Sequence, residues 1–301
     1  MNNKQGWLNL YKPKNISSFK AIYKIKKKFY IKKIGHAGTL DPLAEGILPI
    51  ALNNTTKLIP FINNNLKTYN FEITWGSQTS TDDSEGEIIF QSNNYPEKKQ
   101  IEQKIKKYIG YTNQVPPKIS AVKINGKRAY KLAREKASFH ILPKTVFVKN
   151  IKLIKHKRNT TTFNIECGKG FYIRSLARDL ARDLETFGHI SSLKREKVGN
   201  FIVESSILLD DLLKIGQRQL EINWILPSIS MLDDILALEI LDTKDIENLS
   251  FGRSIMIDKN ILKDHVSKVE DQKQIFLSNK GDIISIGKLI GNLFKPNRIL
   301  L

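Results

Sequence analysis

In the stretch Gly35-His36-Ala37-Gly38-Thr39-Leu40-Asp41-Pro42-Leu43-Ala44-Glu45-Gly46-Ile47-Leu48-Pro49, two glycines surround a histidine, a carboxylate precedes a proline and an apolar run follows. Glycine leaves φ free, so one tight turn can bring backbone, imidazole and carboxylate together. Local rules read the Asp-Pro pair as a helix start, with Asp41 as N-cap and Pro42 at the first helical position. The competing reading makes Asp41 a reactive carboxylate presented by the loop. Either way, residues 47–52 read as a buried strand.

Upstream, residues 6–11 suggest a short strand closed by Lys12-Pro13. Ser17 and Ser18 are good caps for a helix over residues 19–29, with Ile22, Ile25 and Phe29 at helical spacing. Lys24, Lys26, Lys27 and Lys28 fill its other side, as a solvated face would. Downstream, residues 67–75 alternate, sending Tyr69, Phe71, Ile73 and Trp75 one way and polar residues the other. A polar loop over 77–87, a strand near 88–90 and a helix from Pro96 to about residue 108 follow.

Residues 116–143 differ in character. They hold a hairpin signal at Asn125-Gly126 and a basic helical run over residues 127–134, and prolines bound them on both sides. They read as an insertion into the main sheet. Strands over 145–154 and 161–167 resume it, and Gly168-Lys169-Gly170 leads into a helix over 173–185. A strand near 198–203 and two short helices bring the chain to Pro227. After about Asp233 the texture changes to short β-like runs, so a main domain over 1–232 and a small, mostly β domain over 233–301 are expected. The class is mixed, with long sheet segments and helices packed on them.

The chain has 301 residues, 41% of them hydrophobic, and 49 Lys and Arg against 30 Asp and Glu, for a net charge of +19. A basic surface attracts polyanions, nucleic acid above all. The competing explanation is a genome rich in A and T, which raises Lys, Asn and Ile without functional demand. The single cysteine, Cys167, excludes a disulfide framework and a thiolate zinc cluster. The start lacks the apolar core of a secretory signal, and no run approaches the roughly 18 apolar residues of a membrane span. A soluble protein of the reducing cytoplasm is expected.

The run over residues 35–49 resembles the signature of the bacterial TruB-type pseudouridine synthases. Other motifs of that family follow in order. Lys12-Pro13 with Ser17-Ser18 resembles its N-terminal segment, and Lys67-Thr68-Tyr69 its strand start. Residues 76–86, with Thr79, Thr81 and Asp82, resemble a family loop, Lys169-Gly170-Phe171-Tyr172-Ile173-Arg174 another motif, and Leu193-Lys194-Arg195 a last one. The chain departs from the pattern at Asn15, where Gly is common, at Glu45, where Thr is common, and at Lys194, where Arg is common. The resemblance implies an α+β fold: a mixed, mainly antiparallel sheet flanked by helices, an inserted basic RNA-binding segment and a small β-rich, PUA-like C-terminal domain.

It also implies an activity, conversion of uridine 55 in the tRNA T loop to pseudouridine, with Asp41 as the catalytic carboxylate. The isomerisation is neither redox nor energy-requiring, so no metal, nucleotide or other cofactor is implied. Arg174 is the expected counter-charge of Asp41, since a guanidinium forks onto a carboxylate. Arg178 and Arg182, at i+4 and i+8, are expected to face solvent or RNA. A flipped uracil needs aromatic and apolar contacts, for which Tyr69, Tyr172 and Leu193 are the candidates, with His36 beside the vacated stack. Lys127, Arg128 and Arg134 in the insertion are expected to hold the T arm, Lys12 and Pro13 to bind RNA or support the loop, and the C-terminal domain to help hold tRNA. No obligate protein partner is expected.

Two other classes compete. A metal-dependent hydrolase would use His36, Asp41 and the Asp82-Asp83 pair, but no spacing here matches a known ligand set. An RNA-binding or folding-chaperone protein would need the basic surface and not the motif residues.

Overall fold

The structure is a computed structural model that describes residues 4–62, 66–135, 137–232, 236–263 and 274–301. Its core is a sheet of eleven strands. Strands β1 (Gly6–Lys12), β3 (Glu45–Leu52) and β4 (Lys67–Trp75) lie near its centre, and the short β2 (Ile34–His36) pairs with β3. The main path runs Ile207–Leu208, β1, β3, Gly188–Val198, β4, Thr160–Cys167, Lys144–Lys157, Gly110–Gln114. Neighbours are antiparallel except for β1 with Ile207–Leu208 and β3 with Gly188–Val198.

The alternation in β4 has the expected result: Tyr69, Phe71, Ile73 and Trp75 are buried and the residues between them are not. Helix α1 (Ser18–Lys28) starts where Ser17 accepts a hydrogen bond from the Lys20 N–H, and it buries Ala21 and Ile25 against the sheet. The Ile173–Asp183 helix covers the same face with Leu176, Ala177, Leu180 and Ala181. One apolar core therefore clamps both helices to the strands, and burial of this kind is the main driving force of folding.

Several expectations need correction. The strand placed near 198–203 is instead the eleven-residue strand Gly188–Val198, followed by the short Phe201–Ile202. The loop over 77–87 begins as a strand, Ser77–Thr79, paired with Ile88–Gln91. In the insertion, Lys127 and Arg128 lie on the second strand of a hairpin with Lys123–Ile124, and only Ala129–Arg134 is helical. The turn of that hairpin is the Asn-Gly pair, whose φ values of 47° and 83° match a two-residue turn requiring positive φ at both positions.

Five further strands form a second sheet, in the order Ala237–Glu239, Ile275–Asn279, Asp282–Ile290, Leu293–Ile299, Ile255–Met256. The boundary expected at Asp233 lies outside the described residues. This sheet packs directly on the first: Phe276, Ile283, Ile286 and Leu300 share a core with Trp7, Ile47 and Ala51. The Trp7 indole also donates to the Ser228 carbonyl at 2.8 Å. Among the described residues, no helix is long and apolar enough to cross a membrane.

Candidate active site

No helix follows Asp41. Residues 42–44 bend into β3, with the Ala44 N–H donating to the Asp41 carbonyl at 3.1 Å, so the N-cap reading of Asp41 is wrong. The loop is instead tied down on three sides. Leu40 and Ala44 anchor it in the core. The Ser18 hydroxyl accepts from the Leu40 N–H at 2.9 Å and donates to the Leu40 carbonyl at 2.8 Å. Arg195, 1% exposed, donates to the carbonyls of Ile47 at 2.7 Å, Gly38 at 3.0 Å and Thr39 at 3.3 Å.

Two departures from the family pattern acquire physical accounts. Asn15 has φ of 61° and donates its N–H to the Pro42 carbonyl at 2.8 Å; asparagine is the residue that best replaces glycine in that conformation. Glu45 accepts from the Tyr11 hydroxyl at 3.0 Å and pairs with Lys14 at 3.5 Å. Gly46, by contrast, has no substitute. A Cβ there would lie 2.1 Å from the Arg195 carbonyl, because β3 and the Gly188–Val198 strand meet at this point in parallel register.

Asp41 and Arg174 come together as expected, at 2.9 Å between Oδ2 and Nη2. The carboxylate keeps 35% of its side chain exposed and the guanidinium 6%, so the acid faces a cleft and the base lies beneath it. Arg174 is held by more than Asp41. Its Nε lies 3.4 Å from Asp83 Oδ2, and it donates to the carbonyls of Thr81 and Ile119, both at 3.1 Å. Asp83 is itself oriented by the Thr81 hydroxyl at 2.5 Å and the Glu85 N–H at 3.1 Å. Burial and the neighbouring Asp83 and Asp41 charges raise the Glu85 carboxyl above its ordinary range.

Arg178 departs from expectation: it is buried, not facing solvent or RNA. It pairs with Asp82 at 3.2 Å and with Asp179 at 2.9 Å, and donates to the Val115 carbonyl at 2.9 Å. Arg182 is exposed, as expected.

The cleft measures about 230 Å³, and Asp41, Tyr69, Tyr172, Arg174 and Leu193 all line it. That is smaller than the roughly 300–1,000 Å³ of drug-sized pockets, which suits one ring rather than several. Tyr69 and Leu193 are buried and Tyr172 half-buried. Burial pushes the Tyr69 phenol up, the Arg195 guanidinium beside it offsetting part of the effect, and burial raises Tyr172 likewise. The Tyr172 backbone is fixed by Gln114, which accepts from its N–H at 2.8 Å and donates to its carbonyl at 3.1 Å.

His36 does not line the cleft. Burial and the Arg195 charge hold its imidazole below the usual range, and its buried Nδ1 has no hydrogen-bond partner among the described residues. Lys12 is fully buried and donates to the carbonyls of Pro13 at 2.8 Å and Ile16 at 2.7 Å in its own turn, and to that of Pro42 in the Asp41 loop at 3.5 Å. Burial pushes the Lys12 ammonium down to about 8. Lys127, Arg128 and Arg134 are exposed on the insertion, whose Ser120 and Ala121 reach the cleft wall. No group of three or more His, Cys, Asp or Glu that could hold a metal occurs among the described residues.

Three further residues, none of them expected in the isomerase site, stand at it. Asp83 sits in the family loop beside Asp82. Arg195 follows Leu193 by two, which in a strand puts both on one face. Lys67 precedes Tyr69 by two in β4 for the same reason. All but Asp83 line the cleft.

Residues 26–173 match the N-terminal domain of the TruB family pseudouridylate synthases. A tRNA pseudouridine synthase B of Bartonella henselae is 38% identical over 304 residues, covering 98% of this chain and 95% of that protein. One of Rhizobium meliloti is 39% identical over 301 residues, covering 98% and 94%. One of Wolbachia pipientis is 51% identical over 211 residues, covering 69% of this chain and 60% of that protein. Among solved structures, a chain of a Cbf5-Nop10-Gar1 complex superposes with a TM-score of 0.71 at 21% identity, covering 98% of this chain and 85% of that one; this likeness speaks for the fold alone. With near full-length identity to its relatives at this level, the chain belongs to the TruB family of pseudouridine synthases.

Proposed function

We propose that this chain isomerises uridine 55 in the T loop of tRNA to pseudouridine, in the cytoplasm, with Asp41 as the catalytic carboxylate. The observation that carries the reading is the Asp41–Arg174 pair, open on one side to a ring-sized cleft walled by Tyr69, Tyr172 and Leu193. Isomerisation breaks the N1–C1′ bond, turns the freed uracil and rejoins it through C5. The proton leaving C5 is balanced by one gained at N1, so the step needs neither oxidant nor reductant. A carboxylate placed here acts as nucleophile or as base. Arg174, 2.9 Å away, holds it in place with a charge-assisted hydrogen bond.

Tyr69, Tyr172 and Leu193 grip a base that has left its stack, and His36, on the loop that carries Asp41, supports that loop from outside the cleft lining. Lys127, Arg128 and Arg134 supply the adaptable basic surface that single-stranded RNA loops require. The division into a main domain over 1–232 and a PUA-like RNA-holding domain over 233–301 belongs to the same reading. Its support is that the second sheet has a core of its own, built on Leu238, Leu249, Ile275 and Phe294.

The test is to map pseudouridine in tRNA incubated with the native protein and with Asp41→Asn. Product at uridine 55 is expected with the first and none with the second, a loss of roughly 10³-fold or more, while tRNA affinity is retained. Substantial turnover by Asp41→Asn removes the catalytic assignment, and product at another uridine redirects the substrate.

A further inference from the structure

Charge in the cleft is unevenly matched. Lys67, Lys169, Arg174 and Arg195 line it, and Asp41 is the one acidic residue that does so among the described residues. Asp41 already belongs to Arg174. The opposite wall therefore concentrates positive charge. Arg195 makes its hydrogen bonds there to the carbonyls of Ile47, Gly38 and Thr39, and no carboxylate lies within ion-pair distance among the described residues. Lys67 has neither a carboxylate nor a hydrogen-bond acceptor for its ammonium among those residues, although it is partly buried. A buried cation without a counter-charge is costly, and two side by side are more so.

The two cations converge on one spot. Lys67 leads into Tyr69 on β4, and Arg195 lies opposite Tyr69 on the adjoining strand, with Val198 opposite Lys67. A Cβ built on Gly38 would lie 3.6 Å from Lys67 Cε and 3.7 Å from Arg195 Nη1. Both chains thus flank the bare backbone of Gly38, three residues before Asp41. With φ of 102°, that position favours glycine and leaves the gap unfilled.

We propose that Lys67 and Arg195, across Gly38, form a subsite for a backbone phosphate flanking the uridine that enters the cleft. The inference rests on the RNA-isomerase reading, because phosphates are the anions an RNA brings beside a flipped base. Lys67 supplies a point charge that follows the phosphate, and Arg195, buried with its nitrogens donating to the loop's carbonyls, adds its charge from behind. Phosphate binding would fix the sugar over Asp41 while the uracil remains free to turn. Burial, with Arg195 and Lys169 nearby, pushes the unliganded Lys67 ammonium down to about 8, a penalty that an arriving anion removes.

The experiment uses a T-arm stem-loop RNA carrying a single uncharged methylphosphonate at the linkage 5′ or 3′ of the target uridine. Affinity and single-turnover rate are measured with the native protein, Lys67→Met and Lys67→Arg. On the native protein, one of the two neutral linkages is expected to weaken binding about tenfold, the scale of one charge-assisted hydrogen bond. Lys67→Met should lose the same factor on ordinary RNA and nothing more on that neutral RNA, and Lys67→Arg should recover most of it.

The phosphate subsite is overturned if neither neutral linkage weakens native binding, or if the two losses multiply. It is equally overturned if Lys67→Met loses rate at unchanged affinity, which would place Lys67 at the uracil. Should Lys67→Met fail to fold by thermal melting, Lys67→Gln is used in the same cycle. Native product on unmodified RNA tests the function separately: without it that reading fails, and the linkage cycle still decides the subsite from binding alone.

Discussion

Arg174 and Arg178 are 5% and 9% exposed, each paired with an aspartate, whereas Lys127, Arg128 and Arg134 on the insertion stand in solvent with no carboxylate partner among the described residues. Both regions are strongly basic, and charge acts differently in each. Beneath the cleft, every guanidinium has partners at fixed distances, and low local dielectric makes each misplacement expensive. On the insertion, charges interact through water and ions, with a Debye length of roughly 8 Å at physiological salt. The first region works by geometry and the second by field. Substitutions that preserve charge but change shape separate the two.

The largest effect on this comparison is expected from Arg174→Lys. The charge stays, but an ammonium cannot reach Asp41, Asp83 and the carbonyls of Thr81 and Ile119 together, as the guanidinium does. The single-turnover rate should fall roughly 10²-fold, the loss typical of a displaced catalytic group, with RNA affinity changed little. A rate within a few fold of native would mean that charge alone suffices there, and the contrast between the regions would collapse.

A smaller, differently shaped effect is expected when Lys127, Arg128 and Arg134 are all changed to Gln. Affinity should drop and its dependence on the logarithm of salt concentration should flatten by up to about 2–3 units, near one per lost phosphate contact. The rate on bound RNA should hold. An unchanged salt slope would return this segment to a merely solvated surface.

How far the sequence foretold these two regions follows from the same distinction. The Asp41–Arg174 pair was legible because both residues lie in compact motifs whose chemistry is local. The exposure of the insertion was legible from its lysines, prolines and Asn-Gly turn. Arg178 was not, because a helical stripe with Arg174 and Arg182 looks like a surface; it is buried by Asp82, which arrives from a distant loop with φ of 59°.

The Gly188–Val198 strand was missed for a related reason. Ser191, Ser192, Lys194, Glu196 and Lys197 give it a polar texture, yet it lies between β3 and β4 with Arg195 nearly fully buried. Asp41-Pro42 misled in the opposite direction. Its helix-start signal is sound locally, but Ser18 and Arg195 hold the loop in a course that runs directly into β3. In each case a long-range hydrogen bond overrode a correct local preference.

The smallest expected effect concerns pH and tests whether the cleft wall shares anything with the insertion's field. Lys67 is pushed down to about 8 from an ordinary 10.5 chiefly by burial, with Arg195 and Lys169 adding to it. Among the groups facing it, the Cys167 thiol is pushed up to about 12 and stays neutral throughout. Below pH 8 the ammonium is charged and attracts phosphate; above it the charge is lost, so affinity should fall a few fold between pH 7 and 9. Because the folded chain releases this proton more readily than the unfolded one, folding gains stability between about 8 and 10.5, and unfolding cannot mimic the loss.

Lys12 is the rival source, since burial also brings it to about 8 and it reaches the Asp41 loop at the Pro42 carbonyl. Binding measured across this range with Lys67→Met separates them. A flat profile assigns the effect to the cleft wall, and a persistent decline assigns it to Lys12. Holding salt constant keeps the screening of the insertion's charges level, so the comparison of native protein with Lys67→Met isolates the cleft wall.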